Sequence, residues 1–88
     1  MPVRRLDDRT LQARAFCPAI GIAEDPGTGS AAGPIGRLCR QRWGLEPDLT
    51  IHQGSEVGRP CRITVHAADG PLLVGGAVTP CAEGYFTL

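Results

Sequence analysis

Hydrophobic and polar residues alternate with two different periods along this chain, and the change of period divides it into elements. Leu11, Ala13 and Ala15 interleave with Gln12, Arg14 and Phe16, a period of two that predicts a strand with small residues on one side. Pro18 removes a ladder donor and ends that strand, and Ala19–Ala23 reads as a short apolar link containing Gly21. From Thr28 to Trp43 the period becomes helical: Ala31, Ala32, Ile35, Leu38, Cys39 and Trp43 fall on one broad face, and Arg37, Arg40 and Gln41 share the other. Alternation then returns. Leu49, Ile51 and Gln53 interleave with Thr50 and His52, and Ile63, Val65 and Ala67 with Arg62, Thr64 and His66, after a turn built on Gly58-Arg59-Pro60. Asp69-Gly70 is a tight-turn signal leading into a strand over 72–78, in which Gly75-Gly76 predicts a bulge or a close backbone contact. A last hairpin is expected around Glu83-Gly84, returning through Tyr85–Leu88. Met1–Thr10 has mixed charge and no clean period, and reads as a solvated lead-in segment. A strand, a helix and about four further strands make an α+β domain over residues 11–88.

The punctuation around the helix is informative. Asp25 precedes Pro26, Thr28 and Ser30 can cap exposed amides, and Gly44 is a stop signal. Gly29, Ala31, Ala32, Gly33 and Gly36 are small enough to let neighbouring backbone come close, as expected for a helix enclosed by a curved sheet. Pro34 conflicts with a straight helix, because an interior proline loses a hydrogen bond and costs ~3 kcal/mol. The regular helix therefore begins near Gly33 with Pro34 in its first turn, or it kinks there.

Composition narrows the function classes. Nine basic and nine acidic residues cancel, so no net field gathers nucleic acid or an anionic membrane. All nine bases are arginine, which excludes a lysine Schiff base within the chain. Cys17, Cys39, Cys61 and Cys81 stand far apart with no C-x-x-C pair, so buried free thiols are expected and no metal site is. No signal-like opening and no apolar run of the ~20 residues needed to span a bilayer is present. A cytoplasmic protein with reduced thiols is the expectation.

The chemistry concentrates at Glu24-Asp25-Pro26-Gly27-Thr28-Gly29-Ser30. A helix start presents unpaired N–H groups and the positive end of the macrodipole, and so can hold a carboxylate. Moving a proton next to a carboxylate needs a base, a held anion and donors for the developing charge. Asp25 is the candidate acid or base, and the Gly27, Thr28, Gly29 and Ser30 amides and hydroxyls form the candidate cradle. Capping alone would also account for these residue types. Glu24 ranks second, since a glutamate by a helix start is favourable on dipole grounds, and so does Arg59, which could grip a carboxylate with both nitrogens. His52 and His66 lie on outward strand positions without triad partners at motif spacing. Gly27-Thr28-Gly29-Ser30 lacks the lysine of a P-loop and the third glycine of a dinucleotide turn.

One segment carries a family pattern: R-x-F-x-P at Arg14–Pro18, then G-I/V-x-E-D-P-x-T-G-S-A at Gly21–Ala31, Gln53-Gly54, and Gly58-Arg59-Pro60. It resembles the C-terminal half of the phenazine-biosynthesis PhzF-like family, whose members share the diaminopimelate epimerase fold. The resemblance implies one half of that architecture, a strongly curved, mostly antiparallel sheet wrapped around a central helix. It also implies a cofactor-independent isomerase acting by proton transfer on a small carboxylate, in a cleft between two similar halves. Asp25, Gly29 and Ser30 match the aspartate, glycine and serine of the family's D-P-x-T-G-S motif. The family's principal acid/base glutamate belongs to the other half, and nothing here corresponds to it. Three positions depart from the pattern: Gly27 replaces the commoner alanine, Cys61 stands where serine commonly follows Arg-Pro, and Pro34 is unusual.

An isomerase half completed by a second chain, either a separate N-terminal half or a second copy in a homodimer, is the leading expectation. The alternatives are a noncatalytic module for anion binding or oligomerisation, and a truncated fragment with its interdomain face exposed.

Overall fold

The computed structural model describes residues 1–88. Seven strands and one helix follow in the order β1 Val3–Arg5, β2 Thr10–Ala13, β3 Ala15–Cys17, β4 Ile22–Asp25, α1 Gly29–Trp43, β5 Asp48–Gln53, β6 Cys61–His66 and β7 Leu73–Gly76. The five-stranded sheet has the order β1-β2-β5-β6-β7, and β3 and β4 form a separate hairpin. All pairings are antiparallel except β2 with β5, which run parallel because α1 lies in the connection between them. The fold class is α+β, with a mixed, partly curled sheet against one helix.

The alternation in sequence becomes the two sides of the sheet. Leu11 and Ala13 on β2, Leu49, Ile51 and Gln53 on β5, and Ile63 and Val65 on β6 are buried, while the residues between them are exposed or half-exposed. The apolar side chains among these form the core together with Ala32 and Cys39 of α1, Leu45 and Ala67. Burial pushes the Cys39 thiol up from its ordinary value.

The helix meets the sheet along a stripe narrower than the periodicity predicts. Ala32, Gly33, Gly36 and Cys39 are its buried residues, whereas Leu38 is 61% exposed and Trp43 sits at the surface. Backbone approach is the reason. A Cβ on Gly36 would lie 2.8 Å from Val65 Cγ1, and one on Gly33 would lie 3.2 Å from Val74 Cγ2, so only small residues fit at the contact. Larger residues are displaced to the flanks. Pro34 sits inside the continuous helix on its exposed side, so regular structure begins at Gly29 and not near Gly33. Gly44 closes the helix in the left-handed conformation, donating its N–H to the Arg40 carbonyl.

Several expectations are revised. The lead-in segment contains β1, held edge-on to β2. The apolar link after Pro18 is a 3₁₀ turn over Pro18–Ile20 followed by β4, so Glu24 and Asp25 end a strand and do not lie in a loop. Gly75-Gly76 makes no bulge: pairing runs unbroken from Ile63–Gly76 to His66–Leu73, and a Gly75 Cβ would come 3.0 Å from Thr64 Oγ1. The hairpin expected at Glu83-Gly84 does not form. Residues 77–88 carry no regular structure, and Tyr85, Phe86 and Leu88 are fully exposed. Of the cysteines, all free, only Cys39 is buried, and Cys81 is exposed. No helix is long and apolar enough to cross a membrane.

Candidate functional site

The hairpin β3–β4 carries its final residues to the start of α1. Ala15 pairs with Asp25, which sets the end of β4 beside the body of the domain. Pro26 and Gly27 then turn the chain, and Thr28 is the residue before the helix. The loop rests on Gly54, whose φ of +91° only glycine adopts readily; a Cβ there would lie 2.6 Å from the Pro26 carbonyl and 2.2 Å from that of Arg59.

Asp25 is fixed by its neighbours. Its Oδ2 accepts from the Thr28 hydroxyl at 2.6 Å, and its Oδ1 accepts a long bond of 3.4 Å from the Gly27 N–H. Gln53, 1% exposed at the end of β5, closes the network from below. Its Nε2 donates to the Asp25 carbonyl at 2.8 Å and to Thr28 Oγ1 at 2.9 Å, and its Oε1 accepts from the Thr28 N–H at 3.3 Å. Periodicity placed Gln53 on the core side of its strand. A glutamine in that position is itself the signal for a buried polar partner, because an unpaired buried amide costs ~1 to 3 kcal/mol.

Glu24 has a different environment. Its side chain is only 8% exposed and pairs with Arg14 through two bonds, Nε to Oε2 at 3.1 Å and Nη2 to Oε1 at 2.7 Å. The Arg14 bonds hold the Glu24 carboxyl below the usual range, and the pair holds the guanidinium charged. Arg14 also lies over the Phe16 ring at 5.1 Å. Glu24 is therefore half of an ion pair.

The cradle residues divide in the same way. The amides of Gly27 and Thr28 are spent on Asp25 and Gln53, and the Thr28 hydroxyl is engaged on both sides. The first helical bond is Ala32 N–H to the Thr28 carbonyl, and no side chain caps the helix. The amides of Gly29, Ser30 and Ala31 consequently precede the ladder and lack intrahelical acceptors, with Gly29 and Ser30 exposed. Arg59 is exposed in the turn after β5, and its backbone N–H donates to the Gly54 carbonyl. His52 and His66 lie away from the loop on β5 and β6, and His66 Nδ1 meets the Asp48 carboxylate across the strands, a partner that sequence spacing did not disclose. The chain's largest concavity, about 400 Å³ between Asp48, Thr64, His66 and Leu73, is also remote, and no concavity is lined by Asp25, Gly29 or Ser30. The mouth of the helix faces open surroundings.

A family model described as phenazine biosynthesis-like protein matches residues 2–84. Among curated relatives, an uncharacterized isomerase of Pasteurella multocida is 46% identical over 76 residues, covering 83% of this chain and 26% of the relative. The trans-2,3-dihydro-3-hydroxyanthranilate isomerase of Pseudomonas aeruginosa is 44% identical over 63 residues, 67% of this chain and 22% of the relative. An uncharacterized isomerase of Schizosaccharomyces pombe is 34% identical over 88 residues, 89% of this chain and 48% of the relative. The chain thus spans between about a fifth and a half of these relatives.

Proposed function

The chain belongs to the phenazine biosynthesis-like protein family, several of whose curated relatives are named isomerases, and from that premise we propose that it forms one wall of a cofactor-independent, proton-transferring isomerase site. In this reading the free amides of Gly29, Ser30 and Ala31, with the Ser30 hydroxyl, hold the carboxylate of a small acid at the positive end of α1. Asp25, fixed at the edge of that cradle, takes or gives the proton on the adjacent carbon. The single observation that carries the reading is this juxtaposition: uncapped amides and an immobilised carboxylate at one helix mouth. Glu24 contributes through its pair with Arg14, and Arg59 is near enough in the chain's path, beside Gly54, to approach a substrate from the second rank.

The opposite wall comes from a second chain or a second half, either a separate N-terminal half or another copy. Two Asp25 loops meeting across a twofold axis would share one proton and so divide acid from base. The setting is the cytoplasm, where the four free thiols stay reduced. The substrate class is a small cyclic or amino-acid-like carboxylate, of which the compound naming the Pseudomonas relative is the first to try.

Deuterium uptake from heavy water into such acids, followed by proton NMR, tests the reading. Asp25→Asn is expected to cut uptake at least ~100-fold, the usual contribution of a positioned acid or base. Equal uptake by wild type and variant would overturn the role given to Asp25. A second reading, a noncatalytic holder of small anions, is favoured by the absence of any concavity at Asp25 within the chain. It predicts shifts of the Gly29–Ala31 amide resonances on titrating acetate, with no deuterium uptake by wild type.

A further inference from the structure

Gln53 can be oriented from its partners alone. The Asp25 carbonyl can only accept and the Thr28 N–H can only donate, so the glutamine must turn Nε2 to the first, at 2.8 Å, and Oε1 to the second, at 3.3 Å. The second Nε2 hydrogen then points at Thr28 Oγ1, 2.9 Å away. A hydroxyl that receives a hydrogen bond from that side has its own proton left for the other, and the other side is Asp25 Oδ2 at 2.6 Å, a length typical of a bond to a charged oxygen. The direction of every proton in the chain Gln53, Thr28, Asp25 is therefore set by two backbone groups.

Resting on the isomerase reading, we propose that Gln53 is a positioning residue: it turns the Thr28 hydroxyl onto Asp25 Oδ2, so that proton exchange with the substrate takes place at Asp25 Oδ1. One lone pair of Oδ2 is taken by the short Thr28 bond of 2.6 Å. Oδ1 has only the 3.4 Å contact with the Gly27 N–H. When Asp25 accepts a proton from the carbon of the bound acid, the C–H bond breaks, its electron pair is spread over the adjoining carboxylate and double bond, and the O–H bond forms at Oδ1. Return of the proton to a different carbon of that conjugated system breaks the O–H bond, draws the pair into the new C–H bond and shifts the double bond, which completes the isomerisation; Thr28 and Gln53 keep their own protons throughout. The buried location of Gln53, out of reach of the substrate, makes its influence indirect.

Two measurements test this, one of them independent of turnover. In Asp25→Asn the side-chain amide must choose an orientation, and a donating Thr28 hydroxyl forces the Asn oxygen onto Thr28 and the NH₂ group toward Gly27. Nuclear Overhauser contacts from the NH₂ protons to the Gly27 N–H are expected; contacts to the Thr28 hydroxyl instead would overturn the proposal, whatever the chain's activity. In the deuterium-uptake assay, Thr28→Val is expected to lower kcat by about tenfold or more with KM little changed, and Thr28→Ser to recover most of the loss, because the hydroxyl and not the side-chain volume is what counts. Gln53→Glu, which keeps the shape and removes both donors, is expected to lower kcat likewise. If Asp25→Asn abolishes uptake while Thr28→Val retains full kcat, the positioning role falls and the isomerase reading stands. If Asp25→Asn leaves uptake intact, it is the isomerase reading that falls.

Discussion

Glu24 and Asp25 are neighbours in sequence and occupy opposite kinds of surroundings. Alternation along β4 sends the two side chains to different sides: Glu24 toward Arg14 at the junction of β2 and β3, Asp25 toward the start of α1. On the Glu24 side the acid meets a full positive charge through two bonds, and its proton affinity is low for that reason. On the Asp25 side the acid meets only neutral donors, a hydroxyl and a distant amide, beside uncapped helix amides. The contrast shows how one dipeptide can divide labour. The ion pair ties the hairpin to the sheet, and the hydrogen-bonded acid faces the helix start with no opposite charge beside it.

The largest effect should come from removing what holds the Asp25 side in place. Gly54→Ala puts a Cβ 2.2 Å from the Arg59 carbonyl and 2.6 Å from that of Pro26, and neither backbone group can yield without moving the loop. With the strain of a left-handed φ added, the loss is of the order of 4 kcal/mol, read as a fall in the urea midpoint. The Arg14–Glu24 pair is untouched by geometry, so if the Asp25 side alone gives way, the amide resonances of Thr28–Ala31 shift before those of Arg14 and Glu24.

A smaller effect isolates the Glu24 side by pH. Because its carboxyl lies below the ordinary 4.5 in the folded chain, Glu24 contributes stability that is present above that value and is lost as pH falls through the depressed one. Wild type should therefore lose thermal stability more steeply below pH 4.5 than Glu24→Gln, and the two melting temperatures should converge on acidification. Parallel curves would mean that the pair does nothing for folding. Arg14 is 43% exposed, and screening by salt will shrink the difference.

Most of the sheet was legible because its alternation is strict: Leu49, Ile51, Gln53 and Ile63, Val65, Ala67 are the buried positions that period two selects. The helix limits were legible from Thr28 and Gly44, which carry local backbone signals. Its buried face was not, because periodicity ranks Leu38 and Trp43 by hydrophobicity, whereas the contact is governed by how closely Val65 and Val74 approach Gly36 and Gly33. The tail was misread for a related reason: Tyr85, Phe86 and Leu88 have the composition of a strand but no partner strand lies beside them. At the candidate site, the residues that meet at the start of α1 were visible as a motif. The division of the amides into spent and free was not, since it depends on Gln53, 25 positions beyond Thr28.

The smallest effect joins two departures from the family pattern that are separated in sequence. A Cβ added to Gly27 would lie 3.2 Å from the Cys61 sulfur, so the commoner alanine at 27 is tight against this thiol. Serine at 61 has a shorter Cβ–O bond and a smaller terminal atom, and would leave room for it. Glycine at 27 and cysteine at 61 thus fit each other, as alanine and serine would. Gly27→Ala alone should cost about 0.5 kcal/mol, because a few tenths of an ångström must be found between a loop and the start of β6. In a Cys61→Ser background the same change should be neutral or favourable by about 0.5 kcal/mol, since the unfolded chain then loses freedom with no clash to oppose it. A coupling near zero in that double-mutant cycle would show that the loop shifts freely, and the fixed geometry assigned to Asp25 would lose its support, because Gly27 donates its N–H to Asp25 and leaves little room for a Cβ beside Cys61.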